Sequence, residues 1–182
     1  MILCEMLVLE WIFISQNTAT SLLAGIYTDT GWLKHSNTSP LAYKMSSYLI
    51  ALWAQIDTIV KNFFMKNSLS QIRLWGRIMK ESFVDKDQIL HSYVNQSLLS
   101  SYDCSYDDIG WVIDILNTTQ GIKYSTLLTQ KWDYIKWSLR TLRDDIDLTL
   151  IAKQFSGWWH KKASGFTTLG TIETFQILQL KT

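Results

Sequence analysis

The sequence predicts an all-α protein of stacked helical hairpins, and three observations predict it. Apolar residues recur at spacings of three and four through most segments. The 182 residues include one proline and eight glycines, too few for a turn-rich β fold. Polar turn signals fall between the periodic segments, at intervals that suit helix pairs joined by short loops. The chain, residues 1–182, reads as a single helical domain, long enough to bury roughly two thirds of its unfolded surface.

The start, MILCEMLVLEWIFIS, is apolar but carries Glu5 and Glu10 and lacks a basic leader. It therefore reads as a core helix from about Ile2 to Gly25, not as a signal peptide or a membrane span. Tyr27 to Ser39 reads as a loop. Ser39 suits an N-cap and Pro40 the first helical position. The helix beyond them presents Met45, Leu49, Leu52, Ile56, Val60 and Phe63 on one face, and KNSLS from Lys66 turns the chain. A further helix covers about Gln71 to Glu81. Phe83 to Cys104 carries mixed signals: a helix with Ile89, Tyr93 and Leu98 inward, interrupted by turn residues. A helix from Ser105 to about Leu116 ends at NTTQG, Asn117 to Gly121. The clearest helical stripe is Tyr124, Leu128, Trp132, Ile135, Leu139 and Leu142. FSGWWHKKASGF reads as a loop, and a last helix covers about Thr168 to Leu180. No strand is required.

Composition narrows function only partly. A net charge of +1 argues against a nucleic-acid stripe. Nine Trp and eight Tyr supply core volume, or stacking faces for flat ligands and sugars. Cys4 and Cys104 lack metal spacing and make no disulfide framework, so both read as free, buried residues. Three glycosylation sequons occur, at Asn37, Asn95 and Asn117. His35, His91 and His160 share no metal spacing, and there is no phosphate loop or nucleophile motif, so no metal and no cofactor are expected. Asp144, Asp145 and Asp147 fall one residue short of an Asp-Asp-x-x-Asp motif. With Arg140 and Arg143 beside them, they read as a solvated helix end.

One string has two readings. In SYDDIGW, Ser105 followed by Asp108 fits a capping box, and Asp107 and Asp108 suit the positive end of a helix. The same pair, about 100° apart around a helix start, can reach into one cleft. A retaining glycosidase needs two carboxyls about 5 to 5.5 Å apart.

Taken in order, several segments resemble glycoside hydrolase family 76, the endo-α-1,6-mannanases built as an (α/α)6 six-hairpin toroid. LLAGIYTDTGWL from Leu22 is similar to the family's early Tyr, Thr-Gly-Leu-Trp segment. SYDDIGWVIDILNTTQGIKYSTLL from Ser105 is similar to its Asp-Asp helix and hairpin turn. QFSGWWHKKASGF from Gln154 is similar to its Trp-Trp loop. The resemblance implies a partial toroid, its N-terminal half. It implies a retaining glycosidase or transglycosylase acting on α-1,6-mannosidic linkages, with Asp107 as nucleophile and Asp108 as acid/base. Trp32, Tyr106, Trp111, Trp158 and Trp159 would line the sugar groove. The implied partner is α-mannan, with no nucleic acid and no membrane span, and the implied location is secreted or cell wall. Departures accompany it: the loop lacks the family's Cys and one Gly, Gly121 is not followed by Asp, and Glu173 stands where a later acid is expected. Half a toroid leaves helix edges uncovered, so self-association is expected. The alternative is a non-catalytic helical relative or interaction module in which the Asp pair only caps a helix. Another carbohydrate enzyme on the same toroid is a third reading.

Overall fold

The structure is a computed structural model that describes residues 13–34 and 38–172, apart from the side chains of Phe64 and Trp159. Much of the expected first helix, including Cys4, lies outside the described residues. So do His35, Asn37, Glu173 and most of the expected last helix. The chain divides into two compact units, residues 1–67 and 68–182.

The first unit is helical where it is described: α1 (Gln16–Asp29), α2 (Pro40–Ala51) and α3 (Ile56–Phe64). Ser15 caps α1 by accepting from the Thr18 amide, and Ser39 caps α2 by accepting from Ala42, with Pro40 in the first turn. Ala19, Leu23 and Ile26 pack with Ala42, Met45 and Leu49 in one core. The stripe expected to run unbroken from Met45 to Phe63 is interrupted. Trp53 turns the chain with φ 64°. Two contacts to α1 replace helical ones there: Gln16 Nε2 donates to the Trp53 carbonyl at 3.0 Å, and the Gln55 amide donates to Thr20 Oγ1 at 3.0 Å. Tertiary partners satisfy the backbone, so the helix can stop and restart.

The second unit overturns the all-α expectation. It opens with α4 (Leu69–Glu81), capped by Ser68. It continues as β1 (Phe83–Val84), β2 (Ile89–Val94), α5 (Gln96–Ser101), a 3-10 turn (Tyr106–Ile109) and α6 (Val112–Leu116). Then follow β3 (Tyr124–Lys131), β4 (Tyr134–Arg140), α7 (Thr149–Ala152), β5 (Trp158–His160) and β6 (Ala163–Leu169). The six strands form one mixed sheet in the order β1-β2-β3-β4-β6-β5, in which only the β2–β3 pair is parallel. The segment from α5 to α6 supplies the crossover that a parallel pair requires. The described residues of this unit form no helical toroid, so the half-toroid argument for self-association does not apply to it.

The decisive misreading is Tyr124 to Leu142. Tyr124/Leu128 and Ile135/Leu139 are four residues apart, a spacing that a helix face and a strand face both satisfy. Trp132, expected inward, sits at the hairpin turn with φ 52° and is 85% exposed. β3 is buried on both faces: Leu127 packs with Leu74, Ile78 and Val112 on one side, and Leu128 with Ile135 and Ile172 on the other. A strand between two layers loses the alternation that would have marked it. The mixed segment before it resolves likewise, because β2 sends Leu90 and Val94 into the core shared with α4 and α6.

Candidate functional site

Residues paired in register on neighbouring strands share a face of the sheet. On β4, β6 and β5 this rule builds three rows. Arg140 pairs Ala163, which pairs His160. Ser138 pairs Gly165, which pairs Trp158. Lys136 pairs Thr167. One face therefore carries a floor of small residues, Ser138, Ala163 and Gly165. Arg140 and Lys136 flank it on the β4 side, and His160 and Trp158 on the β5 side.

Three of the four flanking groups have contacts that position them, Arg140, Lys136 and Trp158. Arg140 Nη1 donates to the Leu139 carbonyl at 2.9 Å, and its Nε lies 3.4 Å from Asp114 Oδ1 on α6. The Lys136 ammonium lies 5.5 Å from the Trp158 ring centroid, a cation–π distance. His160 is exposed. Gly165 lets the indole approach the sheet, since a Cβ there would stand 2.5 Å from Trp158 Cζ2. Gly157 is needed for a second close approach: its Cβ would collide with the Gly165 carbonyl and lie 2.7 Å from Phe166 Cβ. Ser156, just before it, turns left-handed at φ 53°.

The loop between β4 and α7 closes one end of these rows. Thr141 and Leu148 donate their amides to the carbonyls of Lys162 and Lys161, each at 3.1 Å. Its acids pair locally. Arg143 forks onto Asp145 at 3.0 and 2.6 Å and holds that carboxyl down to about 2. Lys162 reaches Asp144 at 2.9 Å and the Arg143 carbonyl, and lowers the Asp144 pKa. Asp147 accepts from the Thr149 hydroxyl and amide, which lower its pKa.

Chemically, the face offers a guanidinium, an imidazole and an ammonium around a floor without bulk, with an indole alongside. That set suits an anionic group joined to a flat ring. Among the described residues, no three His, Cys, Asp or Glu side chains gather to hold a metal ion.

The residues expected from the sequence are distributed differently. Asp108 caps the 3-10 turn: its Oδ2 accepts from the Ser105 amide at 2.7 Å and the Ser105 hydroxyl at 2.9 Å. Its carbonyl accepts from Trp75 Nε1 at 2.6 Å and Gln71 Nε2 at 3.0 Å. Asp107 is exposed. Tyr106 reaches the end of β3, donating to the Gln130 carbonyl at 2.5 Å beneath the Lys131 ammonium. Trp111 is half-buried at the entry to α6. Trp32 packs in the first unit's core, 5.0 Å from the Tyr27 ring and 5.8 Å from Phe63. Trp158 stands on the face just described, and the side chain of Trp159 lies outside the described residues. Cys104 is free and half-buried; burial, with Asp108 and Asp103, pushes its thiol up. Asn95 is spent capping α5 and Asn117 is buried.

Sequence reasoning missed Lys136, Arg140 and His160. The first two were read into a helix, and the third into a loop. One available signal was alternation, with Ile135, Trp137 and Leu139 inward and Tyr134, Lys136 and Ser138 between them.

Two known proteins are similar to the chain. The chain is 24% identical over 169 residues to the bifunctional oligoribonuclease and PAP phosphatase NrnA of Thermus thermophilus, covering 92% of this chain and 49% of that protein. Its fold is similar to the crystal structure of an exopolyphosphatase-related protein from Bacteroides fragilis. There the TM-score is 0.79 at 25% identity, over 92% of this chain and 51% of that one. Both are named for phosphoester or phosphoanhydride chemistry. The resemblance to glycoside hydrolase family 76 is thereby overturned, and with it the α-1,6-mannanase activity and the α-mannan partner. The non-catalytic helical module fails as well, because the second unit is built on a sheet. The expectation of no nucleic-acid partner is corrected too, since the first relative is named for acting on oligoribonucleotides. No family model matches the sequence. The chain spans about half the length of both relatives.

Proposed function

We propose that the chain serves a phosphoesterase of the DHH/DHHA1 kind, acting on nucleotides or short oligoribonucleotides, and that the β4–β6–β5 face holds the substrate's phosphoryl group. The observation that carries the reading is the Arg140–Ala163–His160 row. The Arg140 guanidinium offers fixed positive charge and its remaining N–H donors to phosphate oxygens, and the imidazole offers another donor from across a small residue. Ala163 and Ser138 add little bulk between them, while the space over Gly165 is taken by the Trp158 ring. Lys136 adds positive charge from the next row but one. Asp108 has no part in this reading, because its carboxylate is committed to Ser105.

The test is equilibrium binding. Adenosine 5′-monophosphate and a short oligoadenylate are titrated into the chain by calorimetry, beside Arg140→Gln and His160→Gln. A hydrogen bond to a charged group contributes about 1.5 to 3 kcal/mol, so each loss is expected to weaken binding about 10- to 100-fold. Unchanged affinity in both variants would remove the phosphoryl group from this face.

A further inference from the structure

We infer that Trp158 is a stacking platform for a nucleobase, which makes this face selective for nucleotides over phosphate compounds that lack a base. The inference rests on the phosphoryl-binding reading of the Arg140–His160 row, but different atoms carry it. Four of the described aromatic side chains lie in this part of the sheet, and they are not equivalent. Trp137 stacks on Phe166 at 5.4 Å and donates its Nε1 to Thr168 at 3.0 Å, and Phe155 stacks on Phe166 at 4.3 Å. Those rings belong to packing. Trp158 points to the opposite face, paired with Gly165, and stays 52% exposed.

Its position is built, not incidental. The ring edge rests against a residue with no side chain: a Cβ at Gly165 would stand 2.5 Å from Cζ2 and 2.8 Å from Cε2. Gly157 brings the preceding backbone against the same strand. An indole seated this way loses little conformational freedom when a second ring lies on it. The exposed Lys136 places its ammonium 5.5 Å from the ring centroid, beside whatever stacks there. Along β5, Trp158 and His160 are two residues apart and share a face, a separation of about 7 Å. That is the scale on which a nucleotide separates its base from its 5′-phosphate. A base on Trp158 therefore places its phosphate toward His160 and Arg140, where Lys136 can follow it.

The experiment compares three probes, adenosine 5′-monophosphate, ribose 5-phosphate and inorganic pyrophosphate, on the wild-type chain, Trp158→Ala and Trp158→Phe. Circular dichroism confirms that each variant is folded. Trp158→Ala is expected to weaken adenosine 5′-monophosphate about 5- to 100-fold, the range found when an aromatic under a base is truncated. Ribose 5-phosphate and pyrophosphate should change less than about twofold, because neither meets a ring. Trp158→Phe should recover most of the loss, since it keeps a π-face. An unchanged affinity for adenosine 5′-monophosphate in Trp158→Ala overturns the platform, as does an equal loss for ribose 5-phosphate. If ribose 5-phosphate and pyrophosphate fail to bind the wild type while base-dependent binding remains, the phosphoryl reading fails and the platform stands. Absence of all binding overturns both.

Discussion

Asp108 shows how two roles compete for one carboxylate. Its Oδ2 accepts from both the amide and the hydroxyl of Ser105, which completes a capping box around the 3-10 turn. That much was legible, since a Ser three residues before an acid at a helix start is a local signal. The glycosidic role rested on the spacing of two adjacent carboxyls around a helix start and on the family resemblance. Asp108→Ala is expected to destabilise the chain by about 0.5 to 2 kcal/mol, the usual loss for a cap, while leaving nucleotide affinity unchanged. Urea denaturation followed by titration with adenosine 5′-monophosphate checks both halves. Arg140 illustrates the opposite case. Nothing local distinguishes it from Arg143, yet Arg143 is bound to Asp145 while Arg140 faces Ala163 and His160. Its place depends on register between strands far apart in sequence, which spacing along the chain does not encode.

At the scale of elements, legibility followed locality. The α2 cap at Ser39 and the helix to Glu81 depend on neighbours within a turn, and those the sequence shows; the α1 cap at Ser15 falls inside the helix expected from Ile2 to Gly25. The β3–β4 hairpin depends on burial between two layers, so its apolar residues satisfy a helical period by coincidence of even spacing. Asp85 helps fasten the β1–β2 turn: it accepts from the Asp87 and Ile89 amides and meets His91 Nε2 at 2.9 Å. Burial pushes its carboxyl up, but those partners outweigh burial and leave it below the ordinary value. The loop between β4 and α7 is tied in the same sense, with Asp144, Asp145 and Asp147 all lowered, Asp145 to about 2. A carboxyl depressed in the folded state contributes stability above its unfolded value and loses it as the pH falls through the folded one. The Asp145 contribution is therefore full above the ordinary carboxylate value, falls as the pH drops below it and is gone near about 2, so the loop's protection from hydrogen exchange should decline over that window. Protection that is lost already near neutral pH, or that is unchanged on acidification to about 2, would contradict those pairings.

At the scale of the molecule, a net charge of +1 hides a local concentration of donors on one face of one sheet. Composition averages over the chain, so it does not register a local cluster of donors. The distinction is measurable. A protein that used a broad basic stripe would lose affinity for an oligonucleotide steeply with salt, whereas this face brings at most Lys136, Arg140 and His160 to the backbone. With about 0.7 ions released per phosphate neutralised on a single strand, the slope of log affinity against log salt should be about −2 or shallower. A slope several times steeper would mean that phosphates run across a wider surface than these three residues.

The contact between Arg140 and Asp114 sets a condition on whatever occupies the face. At 3.4 Å, with both side chains about one third exposed, the pair adds little to stability. It does mean that the guanidinium already has a negative companion before any ligand arrives. On the proposed phosphoryl-binding role, Asp114 is a tethered competitor for one edge of the guanidinium. Removing it as Asp114→Asn should therefore tighten the binding of a phosphomonoester modestly.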